Sequence, residues 1–400
     1  MIFVLNILTL NVWGIPYISR DREERIKAIG DELSKGIFDV VSLQEVWSQS
    51  DYETLKKRTS NVLPYTHYFH SGVAGSGLCL LSKYPIISAF FHAWSVNGYV
   101  HRIQHGDWFG GKGVGLCRIL VKNQPINVYV AHLHAEYDTQ NDEYKAHRVI
   151  QAFDTAQFIE STRSDSILQI LAGDLNTEPE DISYKVLTKT SKLKDTCNLE
   201  LIGTNECERN SYTPLEVVKS NSIGKRIDHI LFRPGEKHTA DVIQYELPFH
   251  DRIPGKTFSY SDHEAVYAKI SISAKKNLPH ELEGEQYCYT AECLSSETLE
   301  TIAALNESIA ICDDILHKLH NHRIVYLTSA LIFSILLFIV IDISPPYGFK
   351  LVYLIIKVIL SGMIIFCIFM GTLWNIMEKN GILSGKLSME IALRYIERQN

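Results

Sequence analysis

The 400-residue sequence has no surplus of positive charge, because 39 Lys and Arg stand against 46 Asp and Glu. A protein that holds nucleic acid by its phosphates needs a basic surface, so this balance argues against a nucleic-acid partner. The eight cysteines form no C-x-x-C pair and no zinc-type spacing, which is typical of reduced thiols in a cytosolic chain. Internal repeats and low-complexity segments are also missing, which argues against a repeat architecture.

The apolar first segment, MIFVLNILTLNVWGIPY, has no positive charge, and the first arginine is Arg20. A secretory signal peptide carries basic residues before its apolar stretch. The segment is therefore predicted to be a buried β-strand rather than a targeting sequence.

Two long apolar runs close the chain. Residues 324 to 341 carry no charge, and residues 351 to 374 carry only Lys357. A helix needs about 20 apolar residues to cross a bilayer, and a soluble core helix keeps a polar stripe that these runs lack. They predict transmembrane helices at residues 324 to 343 and 351 to 374, joined by a tight turn at Pro345-Pro346-Tyr347-Gly348.

The basic residues around the two runs predict their orientation. The outer flanks carry several Lys and Arg, whereas the connecting loop offers Lys350 alone. The positive-inside rule then places both termini, including a tail at residues 375 to 400, in the cytoplasm. The expected location is the endoplasmic reticulum or another cellular membrane, with the chain as a multi-pass protein.

Two further segments lie between the first 275 residues and the apolar runs. Residues 276 to 298 are acidic and have no periodicity, which predicts a linker. Apolar residues recur at helical spacing from 299 to 322, which predicts an amphipathic juxtamembrane helix. Its apolar face has three expected partners: the bilayer, the preceding domain or a second copy. An oligomer formed through these helices is thus one of the expectations.

Residues 1 to 275 alternate short β-rich runs with helical stretches at about 21 to 35 and 140 to 161, which predicts an α/β domain. Polar residues stand at the ends of its predicted strands, and each alone is compatible with an ordinary turn. They are Asn11, Glu45, His132, His134, Asp174, Asn176, Asp228, Asp262 and His263. Carboxylate and amide oxygens are ligands that Mg²⁺ prefers, and histidine transfers protons near neutral pH. The set predicts metal-assisted hydrolysis of a phosphoester.

The segments LNVWG, LQEVW, AHLHAE, GDLN, RIDHIL and SDHEA resemble, in this order, the motifs of the endonuclease/exonuclease/phosphatase superfamily. This resemblance covers most of residues 1 to 275. It implies a four-layer α/β sandwich of the DNase I-like type with Mg²⁺ as the cofactor. A C-terminal two-helix transmembrane hairpin would follow this domain.

Within that superfamily, LNVWGIPYIS, QEVWSQSDY, HGDWFGGKGVG and HLHAEY, together with the paired apolar runs, resemble the membrane-anchored neutral sphingomyelinases. The resemblance implies hydrolysis of the membrane lipid sphingomyelin to ceramide and phosphocholine. Lyso-platelet-activating factor and lysophosphatidylcholine remain alternative substrates of the same site. A nuclease, an inositol-phosphate phosphatase and an inactive scaffold are the rival functions, and GKRIDHIL lacks the motif expected of the phosphatase.

The resemblance also implies a role for each residue. Glu45 is the expected principal Mg²⁺ ligand, with Asn11 in the same shell and Asp262 beside a second metal. Asp174 and Asn176 are expected to orient the attacking water and hold a phosphate oxygen. His263 is the expected general base, steered by Asp228. His132 is expected to stabilise the pentavalent transition state, and His134 is either a substrate contact or structural.

The stretch HGDWFGGKG at residues 105 to 113 contains the glycines of a loop that approaches a substrate closely. Lys112 is expected to contact phosphate, and Trp108 to touch the substrate or the lipid interface. A plain hairpin turn with exposed aromatic residues is the alternative interpretation.

Overall fold

The computed structural model describes residues 2 to 199, 202 to 220, 223 to 275 and 296 to 399. The chain divides into two compact units, Met1–Ala304 and Leu305–Asn400, which we call the sheet unit and the helical unit. Residues 276 to 295 of the predicted linker at 276 to 298 fall outside the described residues. A helix begins at Ser296.

The described residues before position 275 form twelve strands and five helices. The strands are β1 (Ile2–Asn11), β2 (Val40–Gln44), β3 (Tyr65–Tyr68), β4 (Cys79–Ser82), β5 (Ile86–Ala93), β6 (Gly113–Val121), β7 (Gln124–His132), β8 (Leu168–Asp174), β9 (Lys194–Asp195), β10 (Asp228–Pro234), β11 (His238–Glu246) and β12 (Val266–Ala274). The helices are α1 (Arg22–Leu33), α2 (Gln49–Thr59), α3 (Lys145–Ser161), α4 (Ile182–Ser191) and α5 (Leu215–Lys219), with a 3₁₀ turn at Asp107–Gly110. The C-terminal helices are α6 (Ser296–Asp342), α7 (Lys350–Phe369) and α8 (Asn375–Gln399), with a π-helical turn at Met370–Trp374 between the last two.

The strands form two six-stranded sheets, ordered β11-β12-β1-β2-β4-β3 and β5-β6-β7-β8-β10-β9. Each sheet contains one parallel pair at its centre, β1 with β2 and β7 with β8. The carboxyl ends of parallel neighbours lie at the same edge of a sheet. The polar residues that end these four strands are therefore brought to one edge of each sheet. The two edges meet, because Asn11 at the end of β1 donates a hydrogen bond to Asp174 at the end of β8, and we call them together the site edge.

The side chains of β1 alternate between two hydrophobic cores. Phe3, Leu5 and Ile7 face the second sheet, where β6, β7, β8 and β10 supply Val, Ile and Leu side chains. Leu8 and Leu10 face the other way and pack with residues of α1 and α2. Successive side chains of a strand point to opposite faces, so one buried strand serves both layers.

Helix α3 covers the outer face of the second sheet. The Gln169 side chain of β8 donates a hydrogen bond to the Ile159 carbonyl of α3, with an N···O distance of 2.8 Å. Helix, sheet, sheet and helix form four layers, which confirms the predicted fold. The six cysteines in the described part of the chain are free thiols.

In the helical unit, the juxtamembrane and first apolar segments form one continuous helix, α6. Its residues 305 to 319 pack on the C-terminal segment that the sequence left as a tail. The Asn375 side chain donates a hydrogen bond to the Leu319 carbonyl at 2.9 Å, and Lys386 pairs with Asp313 at 3.2 Å. One partner of this helix is thus α8, which was not among the three predicted partners. The start of the helix also contacts the preceding domain, a predicted partner, because Glu300 pairs with Lys189 of α4.

Two helical stretches, Ser296–Asp342 and Lys350–Arg398, are long and apolar enough to cross a membrane. Their apolar windows are 6% buried, so these side chains are not covered by other parts of the described chain. Phe338, for example, is 79% exposed. A core helix of a soluble protein is mostly buried, and these two stretches are not.

Candidate active site

The site edge collects the predicted residues from six segments. Asn11 ends β1, Glu45 follows β2, His132 ends β7, Asp174 ends β8, and Asp228 begins β10. Asp262 and His263 precede β12, which runs antiparallel to β1 and so starts at the same edge. Residues separated by up to 252 positions in the sequence therefore meet in one place.

Asn11 links the two central carboxylates. Its side-chain nitrogen donates to Glu45 Oε1 at 3.0 Å and to Asp174 Oδ2 at 2.9 Å. Its side-chain oxygen accepts a hydrogen bond from the backbone nitrogen of Trp13 at 2.9 Å. The amide holds two acidic groups of different sheets close together, although like charges repel.

The backbone around this cluster is held in an unusual conformation. Glu45, Asn176 and Trp13 have φ angles of 58°, 45° and 46°, in the left-handed region that side chains other than glycine seldom adopt. Gly14 lies against the carbonyl of Glu45, where an added Cβ would come within 2.4 Å of the oxygen. Such strain persists only where the surrounding structure enforces it, and it concentrates at functional sites.

Glu45 has the features of a cation ligand. Its Oε2 atom is buried and has no hydrogen-bond partner among the described residues. Burial and the nearby charge of Asp262 raise the pKa of Glu45 to about 7. A buried carboxylate oxygen without a donor is costly, and a divalent cation would satisfy it. The donor set therefore fits a hard cation that binds oxygen ligands.

A second group of possible ligand atoms lies beside Glu45. One atom each of Asp174, Asp228 and His263 lies within 4.8 Å of the other two. Burial, and after it the charge of Asp228, raises the pKa of Asp174. Asp262 is also close to this group, and burial raises its pKa. The site thus concentrates acidic groups whose charges only a cation or a proton can balance.

His263 and Asp228 form a buried dyad. The Nδ1 atom of His263 lies 2.8 Å from Asp228 Oδ2, and its Nε2 atom lies 3.9 Å from Asp174 Oδ2. Burial alone would lower the pKa of His263, but the charges of Asp228 and Asp174 outweigh it and raise the pKa well above the usual value. The carboxylate fixes the ring so that Nε2 faces the acidic cluster.

His132 also lies beside the carboxylates. Its Nε2 atom lies 3.5 Å from Asp174 Oδ2 and 3.9 Å from Glu45 Oε1. Burial, followed by the positive charge of Lys112, lowers its pKa well below the usual value and so favours the neutral ring. Lys112 Nζ is 3.4 Å from the same nitrogen and 3.3 Å from the Leu133 carbonyl.

Lys112 forms a buried ion pair with Asp107, with an N···O distance of 2.7 Å. Burial would raise the pKa of Asp107, but Lys112 and His134 lower it below its usual range. His134 is fully buried, and its ring stacks on Tyr144 with centroids 3.8 Å apart. Trp108 is 36% exposed on the 3₁₀ turn. The contacts of His134 are those of a packed residue, while Lys112 lies within reach of the carboxylate cluster through His132.

Asn176 follows Asp174 by two positions in the sequence and contacts it. Its backbone nitrogen donates to Asp174 Oδ1 at 3.0 Å, and its side chain donates to the Leu133 carbonyl at 3.0 Å. Asp262 accepts a hydrogen bond from Ser261 Oγ at 3.2 Å. Of the eleven predicted residues, His134 and Trp108 lie away from the carboxylate cluster.

Arg25 is a further residue of this region that the sequence pattern did not indicate. It is fully buried in α1 and donates to the carbonyls of Val12 at 2.7 Å, Trp13 at 2.8 Å and Tyr260 at 3.2 Å. It thereby joins the segment after Asn11 to the segment before Asp262. In the sequence it stands among charged residues of an amphipathic helix, so only its place on the apolar side of that helix could have marked it.

Comparisons with known proteins agree on one protein family. Residues 8 to 263 match the Endonuclease/Exonuclease/phosphatase family. A Drosophila melanogaster protein named "Putative neutral sphingomyelinase" is 51% identical over 436 aligned positions, covering 100% of this chain and 99% of the relative. Human "Sphingomyelin phosphodiesterase 2" is 39% identical over 274 positions, covering 67% of this chain and 64% of the relative. A fission yeast relative, "Inositol phosphosphingolipids phospholipase C" of Schizosaccharomyces pombe, is 28% identical and covers 95% of this chain and 92% of the relative.

Solved structures share the fold of the sheet unit. Sphingomyelinase C from Streptomyces griseocarneus superimposes with a TM-score of 0.52 at 20% identity, covering 66% of this chain and 99% of that chain. A mutant beta toxin of Staphylococcus aureus with bound magnesium ions gives a TM-score of 0.50 at 17% identity, with coverage of 66% and 99%. At these identities the likeness concerns the fold.

Proposed function

Because this chain belongs to the endonuclease/exonuclease/phosphatase family and, within it, to the neutral sphingomyelinases, we propose that it hydrolyses sphingomyelin to ceramide and phosphocholine. The observation that carries the proposal is the buried cluster in which Asn11 bridges Glu45 and Asp174 while two histidines flank them. This arrangement supplies acidic ligands for a cation and proton-transfer groups next to them. Those are the requirements for water to displace an alcohol from a phosphodiester.

His263 is the proposed general base. Asp228 holds its Nδ1 atom, so Nε2 is free to take a proton from the attacking water. The water attacks phosphorus, the bond from phosphorus to the ceramide oxygen breaks, and phosphocholine is released. Asp174 and Asn176 orient the water and a non-bridging phosphate oxygen, and His132 with Lys112 faces the charge that develops on phosphorus.

Mg²⁺ is the proposed cation, held by Glu45 through its unpartnered oxygen, with Asn11 and Asp262 beside it. When bound, Mg²⁺ stabilises negative charge on the phosphate and the leaving alkoxide, and it opposes protonation of His263. The structural neighbour with bound magnesium ions has the same fold, which supports this choice.

The experiment is a release assay on the purified full chain in mixed micelles. Sphingomyelin, lysophosphatidylcholine and lyso-platelet-activating factor are supplied separately, with Mg²⁺ or with EDTA, and an abasic DNA duplex serves as the nuclease substrate. We expect phosphocholine release from sphingomyelin that needs Mg²⁺ and is abolished in His263→Ala. Faster release from a lysolipid would make the lysophospholipase C activity the main one, and nicking of the DNA alone would make the protein a nuclease.

We further propose that α6 and α7 cross a bilayer as a hairpin with both termini in the cytoplasm. Their exposed apolar windows and the basic residues on the outer flanks support this orientation. Protease digestion of sealed vesicles tests it, because tags at both ends should be cleaved from the cytoplasmic side. Protection of either tag would contradict the orientation.

A further inference from the structure

The loops at the site edge contact one another in a closed ring. They comprise residues 12 to 21, 45 to 48, 69 to 78, 94 to 112, 133 to 144, and the described part of 202 to 227; we call them the loop ring. Each of Asn11, Glu45, His132 and Asp228 lies in this ring or directly beside it in the sequence.

Contacts between neighbouring loops follow the ring all the way round. On one side, the Gly14 nitrogen donates to the Glu45 carbonyl at 3.0 Å, that of Val46 to Gly77 at 2.9 Å, and that of Val73 to Phe109 at 3.2 Å. On the other side, Tyr137 donates to the His105 carbonyl at 3.2 Å, Lys225 pairs with Glu136 at 3.6 Å, and Tyr212 packs on Trp13 at 5.0 Å. The candidate active site is therefore enclosed by loops of the same unit.

The most exposed apolar side chains of the sheet unit all lie on the loop ring. Among the large apolar residues described between positions 2 and 275, five are more than two-thirds exposed. They are Tyr17 at 106%, Val73 at 86%, Ile103 at 72%, Leu215 at 72% and Ile18 at 69%. At the opposite edge of the sheets, Ile37 and Tyr65 are 55% and 41% exposed.

Single exposed apolar residues are common on soluble proteins and need no explanation. Five exposed apolar residues on four separate loops around one site are a different case, because polar side chains could occupy each of these positions. The candidate substrate is a lipid, and its phosphate reaches the carboxylate cluster only if the bilayer faces the loop ring. A protein seated there would instead cover the site.

We propose that the loop ring is a membrane-docking surface whose exposed apolar side chains enter the bilayer around the candidate active site. This inference rests on the proposed function, which makes a bilayer lipid the substrate. The five exposed side chains are uncharged, so the docking proposed here does not depend on attraction to anionic lipid. Because docking depends on apolar insertion, the loop ring should bind a zwitterionic bilayer, and a higher salt concentration should change this binding little.

The first test measures depth in the bilayer and does not depend on activity. One copy of the full chain is placed in a nanodisc of phosphatidylcholine, and a genetically encoded fluorescent amino acid replaces Val73, Ile103 or Leu215. A fourth protein carries it in place of Ile37 as the matched control. We expect lipid-attached doxyl groups to quench the three ring positions and to leave position 37 unquenched. Equal quenching at all four positions, or none at the ring, would overturn the proposal.

The second test compares two forms of the substrate. The combined variant Val73→Ser, Ile103→Ser and Leu215→Ser should lose about tenfold or more of its activity on sphingomyelin in a bilayer, because less apolar surface is buried on docking. Its activity on short-chain sphingomyelin dissolved as monomers should be unchanged, and Ile37→Ser should alter neither. An equal loss on both forms would mean a structural defect and would contradict docking. If the unaltered chain cleaved no choline lipid, the proposed function would fail, while quenching would still decide the docking surface.

Discussion

The two units of the chain place polar and apolar side chains in opposite ways. In the sheet unit, Asp174 and Asp228 are 1% and 0% exposed, although both are acidic. In the helical unit, Phe338 and Leu331 are 79% and 62% exposed, although both are apolar. In a water-soluble protein without a bound ligand, acidic side chains are usually exposed and large apolar side chains are usually buried. The buried acids fit the proposed cation, and the exposed apolar helices fit the proposed membrane hairpin.

The two units therefore depend on different kinds of interaction. The sheet unit is held at its site by specific long-range hydrogen bonds, so a change of one atom should have a large effect. The helical unit depends on apolar surface of the right length, which many sequences supply. Substitutions that test this contrast should therefore have their largest effects at the site edge and their smallest effects in the helical unit.

The largest effect is expected for Glu45→Gln. The amide keeps the shape of the side chain but removes the charge that binds a cation, so we expect a loss of about 10³-fold in activity. Because burial and Asp262 disfavour the charge of Glu45, the metal-free variant should unfold at the same temperature as the parent or a higher one. Phosphocholine release and thermal unfolding in EDTA measure the two effects.

Asp39→Asn is the matched control for this substitution. Asp39 is also buried, but it accepts hydrogen bonds from the backbone and side chain of Asn6, at 2.9 and 2.8 Å. Its removal should lower stability and leave the activity of the folded protein intact. A Glu45→Gln protein that is less stable in EDTA and still active would contradict the assigned role.

The second prediction concerns Arg25→Gln. Glutamine is too short to reach all three carbonyls of Val12, Trp13 and Tyr260, and buried carbonyls without donors are costly. We expect a loss of about 3 kcal/mol in the free energy of unfolding, followed in denaturant by the fluorescence of the tryptophans. Four of the five tryptophans, Trp13, Trp47, Trp94 and Trp108, lie in the sheet unit.

The control is Arg58→Gln, which removes an ion pair with Asp31 at the surface. Exposed ion pairs contribute about 0 to 1 kcal/mol, so this variant should resemble the parent. Similar losses in both variants would mean that the position of Arg25 under the site loops has no special importance.

The third prediction is a pH dependence that Mg²⁺ reverses. The pKa of Glu45 rises from 4.5 to about 7 on folding, so the folded protein keeps a proton that the unfolded chain loses in this range. His263 likewise keeps its proton above its usual pKa of 6.5. As the pH rises through both ranges, these two groups should therefore contribute less to the stability of the metal-free protein, with a loss of about 3 kcal/mol from Glu45 alone. His132, whose pKa is lowered, contributes in the opposite direction below its usual pKa of 6.5. The Glu45 contribution is therefore measured as the difference between the parent and Glu45→Gln.

A cation binds the deprotonated carboxylate, so the stabilisation by Mg²⁺ should grow with pH over the same range. Thermal unfolding of the full chain from pH 5 to 8, in EDTA and in Mg²⁺, measures this difference. If metal-free Glu45→Gln showed the same dependence of stability on pH as the parent, the raised pKa of Glu45 would be contradicted.

Much of the fold could be predicted from the sequence because its signals are local. Runs of β-branched residues marked the strands, and long apolar runs marked the second half of α6 and α7. The site residues were predictable because acids, amides and histidines stood at strand ends, and parallel strands bring such ends to one edge. Asn11 and Asp174 are a clear example, since 163 positions separate two side chains that share a hydrogen bond.

Other contacts could not be predicted, because no local period encodes them. The sequence around Arg25 indicates a charged helix surface, and its burial depends on two distant loops that meet above it. The pairing of Lys112 with Asp107 depends on how the loop from 94 to 112 folds back on itself. In the helical unit, residues 375 to 400 were predicted only as a tail, since their helical period does not show that they pack on residues 305 to 319.

The smallest effect is expected for Lys386→Met in α8. Lys386 pairs with Asp313 at 3.2 Å and with Glu390 at 2.7 Å, but these partners are 52% and 30% exposed and keep contact with water. Ion pairs of this kind contribute about 0 to 1 kcal/mol, and the methionine keeps the apolar stem that packs between the helices. Activity in Mg²⁺ and tryptophan-monitored unfolding of the sheet unit should match the parent. A loss of activity here would show that the helical unit acts on the site through a specific contact, and the division between the two units would then fail.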